Sequence, residues 1–256
     1  MSNPYWPSCA RTSGKSDVRR LLAHPWKLAG LAVLAVAVGV LLYQIALFLM
    51  VLWYSVVPPR MTTFMAAEQG QLRSANADAE LRYQWVPYDK ISANLKRAVI
   101  ASEDSNFLNH SGVEWDAIRK AWEYNRRQSE KGSARRRGGS TISQQLAKNL
   151  FLSESRSYLR KGQELILTYM IETVMSKERI LELYLNVAQW GEGVFGAQAA
   201  ARHYFKIDAA QLSAMQAARL AGMLPNPAYY DKNRNSPYLQ SRTRTISQRM
   251  RQVAIP

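Results

Sequence analysis

From Leu28 to Val57 the chain carries no charged side chain, and the run is mostly Leu, Val, Ala, Ile and Phe. At 1.5 Å per residue such a run makes about 45 Å of helix, longer than a hydrocarbon core of about 30 Å, so it predicts a membrane span that tilts or runs into the headgroups. Trp26 at one end and Trp53 and Tyr54 at the other suit interfacial anchors. A cleaved signal peptide would have a shorter apolar region and a small-residue cleavage site, neither of which is present. Past Pro58-Pro59 the pattern predicts a polar linker over 58–76 and a folded domain over 77–256. Apolar residues recur at helical spacing over 91–103, 115–124, 141–151, 159–176 and 178–186. Further helices are expected over 194–204 and 208–223, the last ended by Pro225 and Pro227. Only Leu81 to Val86 alternates like a strand, so the domain is expected to be predominantly α-helical, and no solenoid repeat is visible.

Charge orients this picture. Before the apolar run stand Arg11, Lys15, Arg19, Arg20 and Lys27 against Asp17 alone, so the positive-inside rule keeps segment 1–27 cytoplasmic and puts the domain outside, in a bacterium the periplasm. The whole chain of 256 residues holds 34 Lys plus Arg against 19 Asp plus Glu. Five bases and one acid precede the domain, which keeps 29 against 18, an excess that suits phosphate-bearing substrates or an anionic membrane surface. Nucleic acid is the poorest partner, because the domain is tethered away from the genome and no base-reading motif occurs. A single Cys9 excludes an intrachain disulfide, and with three His a Cys/His zinc cage cannot be built, so any metal must sit on carboxylates.

Four stretches carry chemistry. In Glu103-Asp104-Ser105-Asn106-Phe107-Leu108-Asn109-His110-Ser111-Gly112, two adjacent acids close an apolar helix at its negative end, each raising the proton affinity of the other, a pair suited to proton transfer. A solvated loop with His110 packed locally is the plain alternative. In Gly138-Gly139-Ser140-Thr141-Ile142-Ser143-Gln144-Gln145-Leu146-Ala147-Lys148-Asn149, Thr141 and Gln144 form a capping box. Ser140, Thr141, Gln144, Gln145, Lys148 and Asn149 then cover one half of the helix, a hydroxyl and amide face fit for a sugar or phosphate. Arg160-Lys161-Gly162-Gln163-Glu164 sets two cations beside one acid, either a surface pair or a seat for a pyrophosphate and its metal. The fourth, Lys177 to Asn186, has the alternating charge of an ordinary amphipathic helix and reads as scaffold. Arg126 to Arg137 reads as a mobile basic loop, and both it and the end carrying Arg242, Arg244, Arg249 and Arg251 are either solvated charge runs or contacts for anionic lipid or substrate phosphate.

In this order and after a membrane anchor, the four blocks resemble the signatures of the peptidoglycan glycosyltransferases, family 51 of the glycosyltransferases, over about Val86 to Pro227. The chain is most similar to the monofunctional branch. It ends soon after the fourth block, and it has neither a Ser followed three residues later by Lys nor a Lys-Thr-Gly, so transpeptidase activity is not expected. One mild departure is Val113-Glu114, where the family often has an aromatic or apolar residue followed by Asp.

The resemblance implies a lysozyme-like helical fold with a cleft between two lobes, one dipping into the membrane. It implies an inverting, moenomycin-sensitive lipid II polymerase of the inner membrane. Growing glycan on undecaprenyl pyrophosphate is the donor, and the next lipid II is the acceptor, joined β-1,4. Glu103 is then the base that deprotonates the acceptor 4-hydroxyl, and Glu164 the second carboxylate. Lys148, Arg160 and Lys161 neutralise the pyrophosphate, while Asp104, Phe107, His110, Ser140, Thr141, Gln144, Gln145 and Asn149 contact substrate or shape the site. A divalent cation, Mg2+ or Mn2+, is expected at Glu164 with Asp104. Membrane lipid and other cell-wall synthesis or division proteins are the further partners implied. Two rival readings remain: a lytic transglycosylase or muramidase, which would need no pyrophosphate-binding cations, and a non-catalytic tethered scaffold.

Overall fold

Apolar side chains cover every face of the first helix, α1 (Pro25–Val56). Its stretch Trp26–Val56 is long and apolar enough to cross a membrane. A helix hydrophobic all round asks for an apolar solvent rather than for one buried stripe. The computed structural model describes residues 25–133, 138–152 and 157–256. The basic segment before Pro25, with Cys9, and Arg135 to Arg137 lie outside the described residues. Two compact units result, residues 1–49 and 50–256.

Within the second unit, the stretch expected to be a linker folds as α2 (Thr63–Ala75). Thr62 caps it by accepting from the Met65 N–H. Phe64 and Met65 are buried, and the Phe64 ring meets Phe195 edge-on at 5.8 Å. Two consecutive buried residues in an otherwise polar helix make a weak periodic signal, which is why the pattern reads as a linker.

Then follow β1 (Arg82–Tyr83), α3 (Ala93–Glu103), α4 (Trp115–Glu130), α5 (Ile142–Phe151), α6 (Tyr158–Val174) and α7 (Lys177–Val187). The rest is β2 (Gln189–Gly191), β3 (Val194–Phe195), α8 (Ala197–Phe205), α9 (Ala214–Met223), α10 (Pro227–Lys232) and α11 (Pro237–Arg249). The helical reading holds, with shifted edges that have local causes. Gly196 at φ +83° separates β3 from α8, so the helix expected from Val194 starts at Ala197. Two successive capping boxes, Asp208 with Gln211 and Ser213 with Gln216, split the segment expected to be one helix into a 3-10 turn and α9. Pro227 opens α10 at its first turn, where a missing N–H costs nothing. The basic loop begins later than expected, since α4 runs on to Glu130, and Arg126 reaches Glu130 at 3.6 Å one turn away.

Two helical groups carry the site. The Ala217, Ala218, Ala221 and Gly222 face of α9 lets α3 and α11 approach closely, and a Cβ on Gly222 would stand 3.1 Å from Leu239. Helix α5 packs on α6 and α7, burying Leu146, Leu150, Ile171 and Leu183. A small sheet in the order β1-β3-β2, with Arg82 opposite Val194 in its parallel pair, packs on α8 and α10.

Candidate active site

Ser92 caps α3 at one end and Glu103 closes it at the other, with Asp104 as the residue that leaves the helix. At φ −159° and ψ 73° the Asp104 backbone turns sharply, so the two neighbouring carboxylates serve different places. Asp104, its side chain 1% exposed, accepts from His110 Nε2 at 2.9 Å and from the Ile142 N–H at 3.0 Å. The His110 ring accepts the Gly112 N–H at Nδ1, which puts its own proton on Nε2 toward Asp104. Asp104 therefore ties the first block to the start of α5 and has no open face for a ligand or metal, in contrast to the roles expected of it.

Glu103 faces the opposite way. Its Oε1 accepts from Ser102 Oγ at 2.9 Å and lies 3.5 Å from the Arg242 guanidinium, which also donates to Ser102 at 2.9 Å. Its Oε2 accepts from the Gln145 amide at 3.1 Å. The Gln145 carbonyl in turn accepts the Tyr184 hydroxyl at 2.9 Å. Because a carboxylate only accepts, this chain fixes the amide with its NH2 toward Glu103. Burial, and after it the charges of Glu103 and Asp104, push the Tyr184 hydroxyl well above its usual range, so it stays a donor. With both oxygens engaged and 11% of its side chain exposed, Glu103 is a positioned acceptor at the edge of solvent.

The loop between these acids and α4 is clamped from below. Lys177 Nζ donates to the His110 carbonyl at 2.7 Å and to Glu172 at 2.8 Å, and stands 4.6 Å from the centre of the buried Phe107 ring. Gly112 needs to be glycine: its φ is +93°, and a Cβ would lie 2.8 Å from the Thr168 methyl.

The polar half of α5 is less open than its spacing suggests. Thr141 and Gln144 are buried and spend their side chains on the capping box, with Thr141 Oγ1 also donating to the Gly112 carbonyl. Asn149 is buried too. Ser140 is exposed, Gln145 and Lys148 are half-buried, and the Lys148 ammonium lies 5.7 Å from the Phe64 ring centre. Only these three of the six expected ligand contacts keep an open surface.

A second cluster sits at the start of α6, which packs on α5. Glu164, 4% exposed, accepts from Arg160 at 3.1 Å and from Lys161. The Arg160 Nε–H is buried without a partner among the described residues. Both Glu164 oxygens thus have cations on them, and no group of three or more His, Cys, Asp or Glu side chains that could hold a metal occurs among the described residues. The residues expected to hold a divalent ion, Glu164 and Asp104, do not fit one: their oxygens already face donors.

The fourth block is scaffold only in part. Asn186 grips the Val86 backbone from both sides, and Glu182 accepts the Tyr88 N–H. Tyr184 and Lys177, however, reach the site, a role signalled by a lone hydroxyl on an aliphatic buried face. Arg242 and Ser102 are the other residues sequence reasoning missed.

Residues 69–251 match the Transglycosylase family. The chain belongs to that family. It is 66% identical over 226 residues to a biosynthetic peptidoglycan transglycosylase of Bordetella pertussis, an alignment covering 88% of this chain and 92% of the relative. A protein of the same description from Janthinobacterium sp. is 56% identical over 217 residues, 85% and 92% of the two chains. One from Burkholderia thailandensis is 51% identical over 254 residues, 98% and 94%. The helical domain is therefore the lysozyme-like transglycosylase fold, and the resemblance of the four blocks is borne out.

Proposed function

We propose how the residues divide the work of an enzyme whose overall activity follows from its family. The chain is a peptidoglycan glycosyltransferase that polymerises lipid II into β-1,4-linked glycan strands for the cell wall, releasing undecaprenyl pyrophosphate. Glu103 takes the proton of the acceptor 4-hydroxyl as that oxygen attacks the donor anomeric carbon. The bond from that carbon to the pyrophosphate breaks, and its electron pair leaves with the phosphate. Arg160, Lys161 and Lys148 meet the charge that develops there, where cations act more strongly on the transition state than on the ground state. The orphan Nε–H of Arg160 suits this role, since a buried donor without a partner gains one when an anion arrives. Glu164 holds the two cations in place. Any Mg2+ or Mn2+ the reaction uses would come in on the substrate pyrophosphate, and no step is assigned to it.

The observation that carries this reading is the Glu103 carboxylate, held at both oxygens and left at the solvent edge. We place the N-terminus in the cytoplasm and the domain in the periplasm, anchored in the inner membrane, from the bias of Arg11, Lys15, Arg19, Arg20 and Lys27 over Asp17. Contact of the domain with lipid is supported by the exposed apolar side chains of α6, among them Tyr158 at 98% and Leu159 at 88% exposure.

The test is to incubate the full chain in detergent with labelled lipid II. Polymer that muramidase digests is expected. Shortening of finished glycan strands without polymerisation would favour the lytic reading, and no turnover from folded protein would favour a scaffold.

A further inference from the structure

Helix α11 shows different residues to its two sides. Arg242 reaches Ser102 and Glu103. Two residues on, about 200° round the helix, Arg244 belongs to another face, with Gln240, Thr243 and Ser247 at helical spacing. That face borders two neighbouring cavities. One of about 360 Å³ is lined by Phe205, Met215 and Leu239, with Arg219, Arg234 and Arg244 around them. The other, of about 390 Å³, includes Arg97, Ser247 and Arg251. Consecutive residues at the start of α9, Ala214 and Met215, line one cavity each. From Gln240 to Arg251 the trough runs about 16 Å at helical rise, the reach of about five residues of extended chain.

No carboxylate lines either cavity. The side chains of Arg97, Arg244 and Arg251 have no ion pair or hydrogen bond among the described residues, and the sequence from Leu212 to Pro256 holds seven bases against one acid, Asp231, which pairs with Arg234 at 2.8 Å. The floor of the first cavity is apolar, with Met215 52% exposed. We propose that this trough docks an acidic, partly apolar segment of another protein, its carboxylates on the arginines and one apolar side chain beside Met215. Arginine forks match carboxylates in pairs, and arginines around concave apolar pockets suit a peptide better than a bilayer surface, which would meet a flat or convex face. The occupant lies on the side of α11 away from Arg242, so it leaves Glu103 free. This inference does not depend on the roles proposed for Glu103 and Glu164.

The test measures fluorescence anisotropy of a labelled decapeptide of glutamates interrupted by leucines, titrated with the full chain in nonionic detergent. A peptide with Gln for Glu is the control, and phosphatidylglycerol vesicles are the competing ligand. Saturable binding that weakens with salt is expected, reduced about tenfold by Arg244→Ala or Arg251→Ala and lost in Met215→Glu, with Tm and lipid II polymerisation unchanged. Absence of peptide binding, or equal binding of the Gln peptide, overturns the proposal. It also falls if the substitutions reduce only vesicle binding, which makes the trough a lipid site, or if they slow polymerisation, which makes it part of the substrate site.

Discussion

The Tyr184–Gln145–Glu103 chain can be taken apart one link at a time. Gln145→Ala removes a hydrogen bond to a carboxylate, worth about 1.5–3 kcal/mol. If that bond aims Glu103 in the transition state, kcat falls about ten- to hundredfold at 1.36 kcal/mol per decade. Tyr184→Phe leaves the amide in place but removes the donor on its carbonyl, 2.9 Å away and, with Tyr184 at 1% exposure, out of reach of replacing water. A neutral bond of about 0.5–1.5 kcal/mol gives a loss of about two- to tenfold. The link is serial, so the double variant should match Gln145→Ala alone, and the coupling energy should equal the whole effect of Tyr184→Phe. The assay is steady-state polymerisation of fluorescent lipid II, with kcat and KM separated and thermal unfolding as a control for fold. Additive losses in kcat, or Gln145→Ala turning over within twofold of wild type, would refute the serial arrangement.

Gly112→Ala forces a side chain into the left-handed region, about 1–2 kcal/mol, and overpacks against Thr168, about 1–3 kcal/mol more; a Tm drop of about 5–15 °C is expected, and one under about 2 °C would show that the loop relaxes freely. Arg160→Ala should weaken binding of the donor mimic moenomycin about tenfold and lower Tm, since it strips one cation from the buried Glu164 carboxylate, and unchanged inhibitor affinity would remove Arg160 from the pyrophosphate. Burial, and after it the Arg82 and Arg234 guanidiniums, hold His203 below its usual range, opposed by Asp231. Unfolding frees His203 to take a proton, so its contribution is complete above about pH 6.5 and is lost as pH falls toward its folded value. His203→Gln should flatten the fall in Tm between about pH 7 and 5, and an unaltered slope would contradict that origin.

Much of this was legible in the chain because helix signals here are strong and local. Thr141 with Gln144 three residues on marks α5, and the apolar period marks α3, α6 and α7, whereas the Ser213–Gln216 box that starts α9 lies inside the stretch expected as one helix over 208–223. The Arg160–Lys161–Glu164 cluster was recognisable because spacing of three and four residues within one helix decides what those side chains can share, whereas the role of Glu103 came with the family resemblance. Asp104 was misread for the opposite reason: adjacency in sequence suggested a proton-sharing pair, whereas one cap residue with ψ 73° sends it to His110 and Ile142. Thr141 and Gln144 lay on the polar half of a helical wheel, which does not reveal that capping and burial use up their side chains. Arg242 meets Ser102 across 140 residues of chain, a contact that only packing of α11 against α3 creates.

In the proposed reaction Glu103 accepts the proton of the attacking hydroxyl. Glu103→Gln keeps the size and hydrogen-bonding reach of the side chain but cannot take that proton, so it isolates the chemistry from the fold. Single-turnover extension of a lipid-linked glycan by labelled lipid II, with lipid II affinity and Tm measured alongside, is the most direct test. No detectable glycosidic bond formation by Glu103→Gln is expected, at near wild-type affinity and Tm. Extension at a rate near that of wild type would contradict it and assign the base to another group.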